Sequence, residues 1–247
     1  MTATAAIIQS RTGSTRLPGK ALVEIAGAPL TEHIIKRVQA AGVFDSIVLA
    51  IPDRSTEAPL KELAARLGVV CFQGDEDNVL SRFIGAAEAV GAEHLMRICG
   101  DNPLVDIPLM RDLHREHLKS GAHYTVPLEP IPLGSGAEMV ATAALRRIAA
   151  ATEEPRYLEH VTTWFQDHGG EFTVHRIPAP FYLRNMPLRL TVDTEEDLAL
   201  VRHLYEQFHR PYLPVDLEQA VLYLVNRPEI YGMNAHIPQK DWRGGKK

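Results

Sequence analysis

The sequence predicts an α/β fold with a mainly parallel sheet flanked by helices, and three observations carry that expectation. Short apolar runs alternate with segments of helical periodicity, the pattern of repeated strand, helix, strand units. The first run, at 5–8, passes directly into a loop of glycines and basic residues, where open α/β sheets place ligands, outside the carboxyl end of a strand. A chain of 247 residues that is 45% hydrophobic is also long enough to bury a substantial core.

The elements follow in order. Strands are expected at 5–8, 46–51, 69–72, 94–99 and 123–126, all short apolar runs suited to a buried parallel sheet. Helices fall between them. The helix at 29–40 starts at Pro29 and sets Ile34, Ile35 and Val38 on one face, while the helix at 57–67 stops at Gly68. Two more follow at 76–90 and 108–119, the second capped by Asp106. From Pro127 the texture changes to prolines and glycines, then helices at 141–150 and 155–167 and a strand at 171–177, so residues 127–187 read as an excursion from the sheet. The run at 188–192 is expected to return to it, with helices at 195–208 and 216–226. The result is one domain over 1–240 and a disordered tail at 241–247.

Charge and composition narrow the function. A net charge of −5 argues against a nucleic-acid partner, so a basic loop on this chain serves a small anion. No apolar run approaches the roughly 20 residues that span a bilayer, and the N-terminus has no signal-peptide pattern; no membrane partner and a cytoplasmic location are expected. Cys71 and Cys99, both in apolar runs, read as reduced, buried thiols.

Two clusters carry chemistry. The loop after the first strand holds Arg11, Ser14, Arg16 and Lys20 around Gly13 and Gly19, which suits a polyphosphate: guanidinium forks, a lysine point charge and backbone N–H groups that approach closely. A solvated basic loop is the alternative. A Walker A motif is excluded, because five residues separate Gly13 from Gly19 and Ala21 stands where the magnesium-binding hydroxyl would be. The second cluster is Asp101 and Asp193, each just beyond an expected strand and therefore at one shared edge of a parallel sheet. Two carboxylates beside a triphosphate are what Mg2+ needs, its other positions being filled by phosphate and water. Their alternatives are a turn, in Gly100 to Pro103, and a capping box, in Asp193 with Glu196.

The string Arg11, Ser14, Arg16 and Leu17 to Lys20 resembles the first-loop signature of the cytidylyltransferases that activate acidic sugars, the CMP-Kdo and acylneuraminate synthetases. Arg97 to Leu104 and Arg189 to Thr194 resemble that family's two metal-aspartate segments. Gly74 to Phe83, with Asp75, Glu76, Asp77, Val79, Leu80 and Arg82, and the string Glu159, His160, Val161, Thr162 are similar to the spore-coat polysaccharide, SpsF-like group. Cys99 replaces the Gln usual before the Gly-Asp pair of CMP-Kdo synthetases. The resemblance implies a nucleotidyltransferase (Rossmann-like) fold with a protruding dimerisation element, and Mg2+ on Asp101 and Asp193. It implies transfer of CMP from CTP to an acidic sugar with release of pyrophosphate.

In that scheme Arg11, Arg16 and Lys20 neutralise the departing pyrophosphate, and no side-chain base is evident. Arg82 is placed either at the nucleotide or in a surface ion pair. Arg97, inside an apolar strand, is expected either to meet an anion, which would be a phosphate, a substrate carboxylate or Asp101, or to lie on an edge strand. Glu138, Glu159 and His160 are candidates for the acceptor pocket. A homodimer is expected because Leu145, Ile148, Val161, Trp164 and Phe165 give 127–187 more apolar surface than a small excursion covers. Other readings are a nucleotidyltransferase acting on a sugar phosphate, polyol phosphate or phosphonate, and a non-catalytic nucleotide-binding regulator.

Overall fold

In the computed structural model, which describes residues 2–211 and 213–239, the first apolar run forms β1 (Thr4–Gln9), an interior strand of a seven-stranded sheet. A small hairpin, β2 (Glu24–Ile25) and β3 (Ala28–Pro29), leads into α1 (Leu30–Ala41). Then come β4 (Ser46–Pro52), α2 (Ala58–Arg66), β5 (Val70–Gly74), α3 (Val79–Ala89), β6 (His94–Cys99), α4 (Ile107–Ser120) and β7 (Tyr124–Pro127). The second half supplies β8 (Glu138–Ala141), α5 (Thr142–Ala151), α6 (Pro155–Glu159), α7 (Trp164–Asp167), β9 (Val174–Ile177), α8 (Glu195–Phe208), α9 (Leu217–Val225) and α10 (Pro228–Tyr231). The tail expected at 241–247 lies outside the described residues.

The sheet order is β5-β4-β1-β6-β8-β7-β9. β5, β4, β1 and β6 are mutually parallel, whereas β8 runs against both its neighbours. Residues of β1 alternate between two cores, as a strand's two-residue period requires. Ala6 and Ile8 face a core built with α1, α4, α8 and α9, while Ala5 and Ile7 face a second one built with α3 and α5. A mainly parallel sheet covered on both faces explains why its strands read as continuous apolar runs.

Four expectations change. The segment 127–187 does not leave the sheet altogether, because β8 inserts beside β6 and β9 forms the far edge. The run 188–192 joins no strand ladder and makes a single bridge, Leu133 to Arg189. The helix expected at 155–167 is two short ones, α6 and α7, since Val161, Thr162 and Thr163 interrupt it. Leu145, Ile148, Val161, Trp164 and Phe165 are also buried within this chain, at 0 to 8% exposure, so they leave no apolar face for a partner. The second core covers them.

Where α4 meets the sheet, His117 is fully buried, with Nδ1 2.8 Å from Thr125 Oγ1 and Nε2 2.8 Å from His94 Nδ1. Burial first, and then the neighbouring His94, His114, His175 and His123, push its pKa down to about 3. A group whose folded pKa is depressed contributes stability above its unfolded pKa, near 6.5, and loses it as pH falls toward the folded value. Unfolding free energy is therefore expected to fall between pH 6.5 and pH 4, with a slope approaching about 1.4 kcal/mol per pH unit from this site. His117→Asn should flatten that slope in urea titrations at several pH values. An unchanged slope would remove His117 as its cause.

Candidate active site

The register sets the carboxyl ends of four strands side by side: Gln9 pairs with Ala50 and Cys99, and Pro52 pairs with Gly74. The loops that leave those ends share one rim. Gly100 permits the closest approach there, because a Cβ at this position would stand 2.2 Å from the Gln9 carbonyl oxygen. The chain beyond 188 is tied to the same rim, with Val192 N–H donating to the Asp101 carbonyl at 2.8 Å. Asp101 and Asp193 thereby meet although Asp193 follows no sheet strand.

Lys20 stands between them. Its ammonium donates to Asp193 Oδ1 at 2.8 Å, Asp101 Oδ2 at 3.2 Å and the Val192 carbonyl at 3.0 Å. Arg16 reaches Asp193 Oδ2 at 3.0 Å, and Arg189 reaches the same oxygen at 3.2 Å. Burial works against the Lys20 charge, yet Asp101 and Asp193 outweigh it and hold its pKa above the ordinary value. Burial likewise opposes the Asp193 charge, and Lys20, Arg16 and Arg189 overcome it to hold that carboxyl below the usual range. The turn and cap readings are separable here. The capping box of α8 is made by Thr194 and Asp197, not by Asp193 and Glu196, so the Asp193 side chain is left to the cations.

The remaining first-loop residues lie at the same rim. Arg11 is half-exposed and 4.0 Å from Glu76, while Ser14 Oγ accepts from Leu17 N–H at 3.4 Å, a bond internal to the loop. Buried Glu57 pins this loop by accepting from Thr12 N–H at 2.9 Å and Thr12 Oγ1 at 2.8 Å. Arg54 pairs with Glu76. Arg82 is 3% exposed, and its guanidinium donates to the carbonyls of Asp75 and Glu76, which makes it a brace for the 75–77 loop.

Beyond Cys99 and Asn102 the rim opens into a cleft of about 1030 Å³, walled by β7, β8 and β9 and by Phe165 and Phe172. Arg97 and Glu138 line it and pair with each other at 2.9 Å, and Glu138 also accepts from Tyr124 Oη at 2.5 Å and Thr162 Oγ1 at 2.9 Å. The anion that Arg97 requires is thus a protein carboxylate. Burial first pushes the Cys99 thiol up to about 11, which keeps it protonated and unsuited to nucleophilic attack. Glu159 and His160 are not brought to this cleft. α6 ends at Glu159 with Tyr157 and Val161 turned inward, which leaves Glu159 exposed.

Residues 5–227 match the family model described as cytidylyltransferase. The spore coat polysaccharide biosynthesis protein SpsF of Bacillus subtilis is 35% identical over 81% of this chain and 85% of its own length. A cytidylyltransferase structure from Leptospira borgpetersenii shares the fold at a TM-score of 0.86, covering 98% of this chain and 100% of that one at 19% identity. The structure of CMP:2-keto-3-deoxy-manno-octonic acid synthetase complexed with CTP gives 0.64, covering 83% of this chain and 99% of that one at 18% identity. A basic first loop, two convergent carboxylates and a match along almost the whole sequence agree: the chain belongs to the cytidylyltransferase family of nucleotidyltransferase enzymes.

Proposed function

We propose that this enzyme transfers CMP from CTP to a hydroxyl of an acidic sugar, of the 2-keto-3-deoxy or nonulosonic type, and releases pyrophosphate, with Mg2+ held by Asp101 and Asp193. The observation that carries this reading is the pair of carboxylates converging on one ammonium, 2.8 and 3.2 Å away, beside a basic loop and an open cleft.

The donor set fits a hard divalent cation. Two carboxylates already share one positive charge, and among the described residues no group of three or more His, Cys, Asp or Glu side chains gathers as a metal cage. Magnesium is commonly bound this way, through one or two carboxylates with substrate phosphate and water completing its octahedron. Bound there, it would supply Lewis-acid charge at the phosphate under attack. The chain itself does the positioning. Arg11, Arg16 and Lys20 bind the triphosphate and neutralise the charge that grows on the departing pyrophosphate. The cleft beyond Asn102 holds the acceptor with its hydroxyl toward Asp101, and the Glu138 carboxylate keeps Arg97 and Tyr124 fixed in its wall.

The same reading keeps segment 127–187 as the acceptor and dimer region and the enzyme in the cytoplasm. Leu128 and Val174, 55% and 37% exposed, line the cleft, and Phe181 just past β9 is 83% exposed; a second copy would cover them. Among the described residues no helix is long and apolar enough to cross a membrane.

Pyrophosphate release from CTP with a panel of acceptors tests the activity. Release is expected only with a sugar acid present and with Mg2+ supplied. Release with a sugar phosphate or polyol phosphate instead would overturn the acceptor class, and none with any acceptor would overturn catalysis. Light scattering at micromolar concentration is expected to give twice the chain mass; a fully active monomer would overturn the dimer.

A further inference from the structure

Asp193 sits four residues after Arg189 and four before Asp197, and these flanking residues pair with each other more closely than either pairs with it. Arg189 Nε donates to Asp197 Oδ1 and its Nη2 to Asp197 Oδ2, both at 2.8 Å, whereas Nη2 stands 3.2 Å from Asp193 Oδ2. Asp197 is fully buried. Its Oδ2 also accepts the backbone N–H groups of Asp193 at 3.0 Å and Thr194 at 3.1 Å, which sets the direction in which Asp193 leaves the chain. Asn234, fully buried, donates to Asp197 Oδ1 at 2.8 Å and to the Arg189 carbonyl at 3.0 Å, closing the cluster from the C-terminal end.

We propose that Arg189, Asp197 and Asn234 are positioning residues that fix the Asp193 carboxylate and preserve its charge for a divalent cation. This inference rests on the metal role of Asp193 given above. The charges explain the arrangement. Asp193 faces three cations: Arg16 and Lys20, which a polyphosphate can draw away, and Arg189, which it cannot reach because its side chain is 8% exposed and its guanidinium is held in a two-pronged pair. A buried arginine left without Asp197 would turn its whole charge on Asp193 and compete permanently with a metal ion. Asp197 therefore neutralises Arg189, so that nucleotide binding frees Asp193 rather than leaving it to an uncompensated fixed cation. Partners that orient metal-binding carboxylates carry much of a site's affinity.

The test is Mn2+ binding, in place of Mg2+, to the full-length protein with CTP present, followed by titration calorimetry or by the spin-resonance signal of free Mn2+. Asp197→Asn is expected to weaken Mn2+ binding about 10- to 100-fold and to raise the metal concentration needed for half-maximal rate by the same factor. Asp197→Glu should recover part of that loss. The decisive variant is the double Arg189→Gln, Asp197→Asn, which removes more hydrogen bonds yet should bind Mn2+ more tightly than Asp197→Asn alone, because the uncompensated guanidinium is gone. If Asp197→Asn does not fold, Asn234→Ser, which keeps the ion pair and loosens its seat, should weaken Mn2+ several-fold. Wild-type affinity in Asp197→Asn, or a double variant no tighter than the single, would overturn the proposal while leaving the metal site standing. Absence of Mn2+ binding by the wild-type complex with CTP would overturn the metal role of Asp193 itself, and this inference with it.

Discussion

Asp101→Asn and Asp193→Asn are each expected to lower turnover at least about a hundredfold, which corresponds to about 3 kcal/mol or more of lost transition-state stabilisation. Asparagine keeps the size and one acceptor oxygen of each side chain but removes the charge a divalent cation requires. The fold should survive, because what each segment contributes to structure passes through other atoms. The Asp101 backbone carbonyl accepts Val192 N–H, and the α8 cap is made by Thr194 and Asp197. Asp193→Asn does remove a partner from Lys20, Arg16 and Arg189, so a lower melting temperature is expected alongside the kinetic loss. Pyrophosphate release across a magnesium titration checks the result, with a thermal melt to confirm folding. A near wild-type rate for either variant at limiting magnesium would return that residue to a purely structural role.

How far the sequence carries this site is visible residue by residue. The runs at 5–8, 46–51, 69–72 and 94–99 become β1, β4, β5 and β6; the interior strands β1 and β4 are largely buried and so read as continuous apolar runs, whereas β5 lies at the sheet edge with Val70 43% exposed and β6 admits Arg97 because Glu138 pairs with it. β8 escaped notice. Only Glu138 to Ala141 belong to it, and the alanine-rich helix that follows overwhelms a four-residue signal. The opposite error occurs at 188–192, whose alternation reads as a strand; the segment makes one isolated bridge, and its backbone partners are Leu133 and the Asp101 carbonyl. Lys20, Asp101 and Asp193 were legible through their motifs, and the structure brings all three within one hydrogen-bonded group. Arg189 and Asp197 left a weaker trace, opposite charges four residues either side of Asp193. Glu57 and Asn234 left none, since each reaches its partners, Thr12 and Arg189, across the tertiary fold.

Lys20→Met should produce two effects of opposite sign. Turnover is expected to fall by about two orders of magnitude or more, because a charge positioned to stabilise the leaving pyrophosphate is lost. Affinity for Mn2+ in the absence of nucleotide should instead rise about tenfold or more. In the structure the ammonium lies between Asp101 and Asp193 with its side chain only 15% exposed, so a divalent cation shared by those carboxylates must first displace it. Removing one partner of a buried ion cluster leaves carboxylates whose charge favours any replacement cation. Methionine fills the space of the lysine stem without its charge, and Arg16 and Arg189 remain to hold Asp193 in place. Adding CTP should narrow the difference between variant and wild type, since phosphate oxygens then draw Lys20 away from the carboxylates in the native protein. Calorimetric titration of both proteins with Mn2+, with and without CTP, measures each of these quantities. If Lys20→Met bound Mn2+ no more tightly than wild type without nucleotide, the ammonium and the metal would not share a site, and the convergence of Asp101 and Asp193 on Lys20 would be a structural ion cluster.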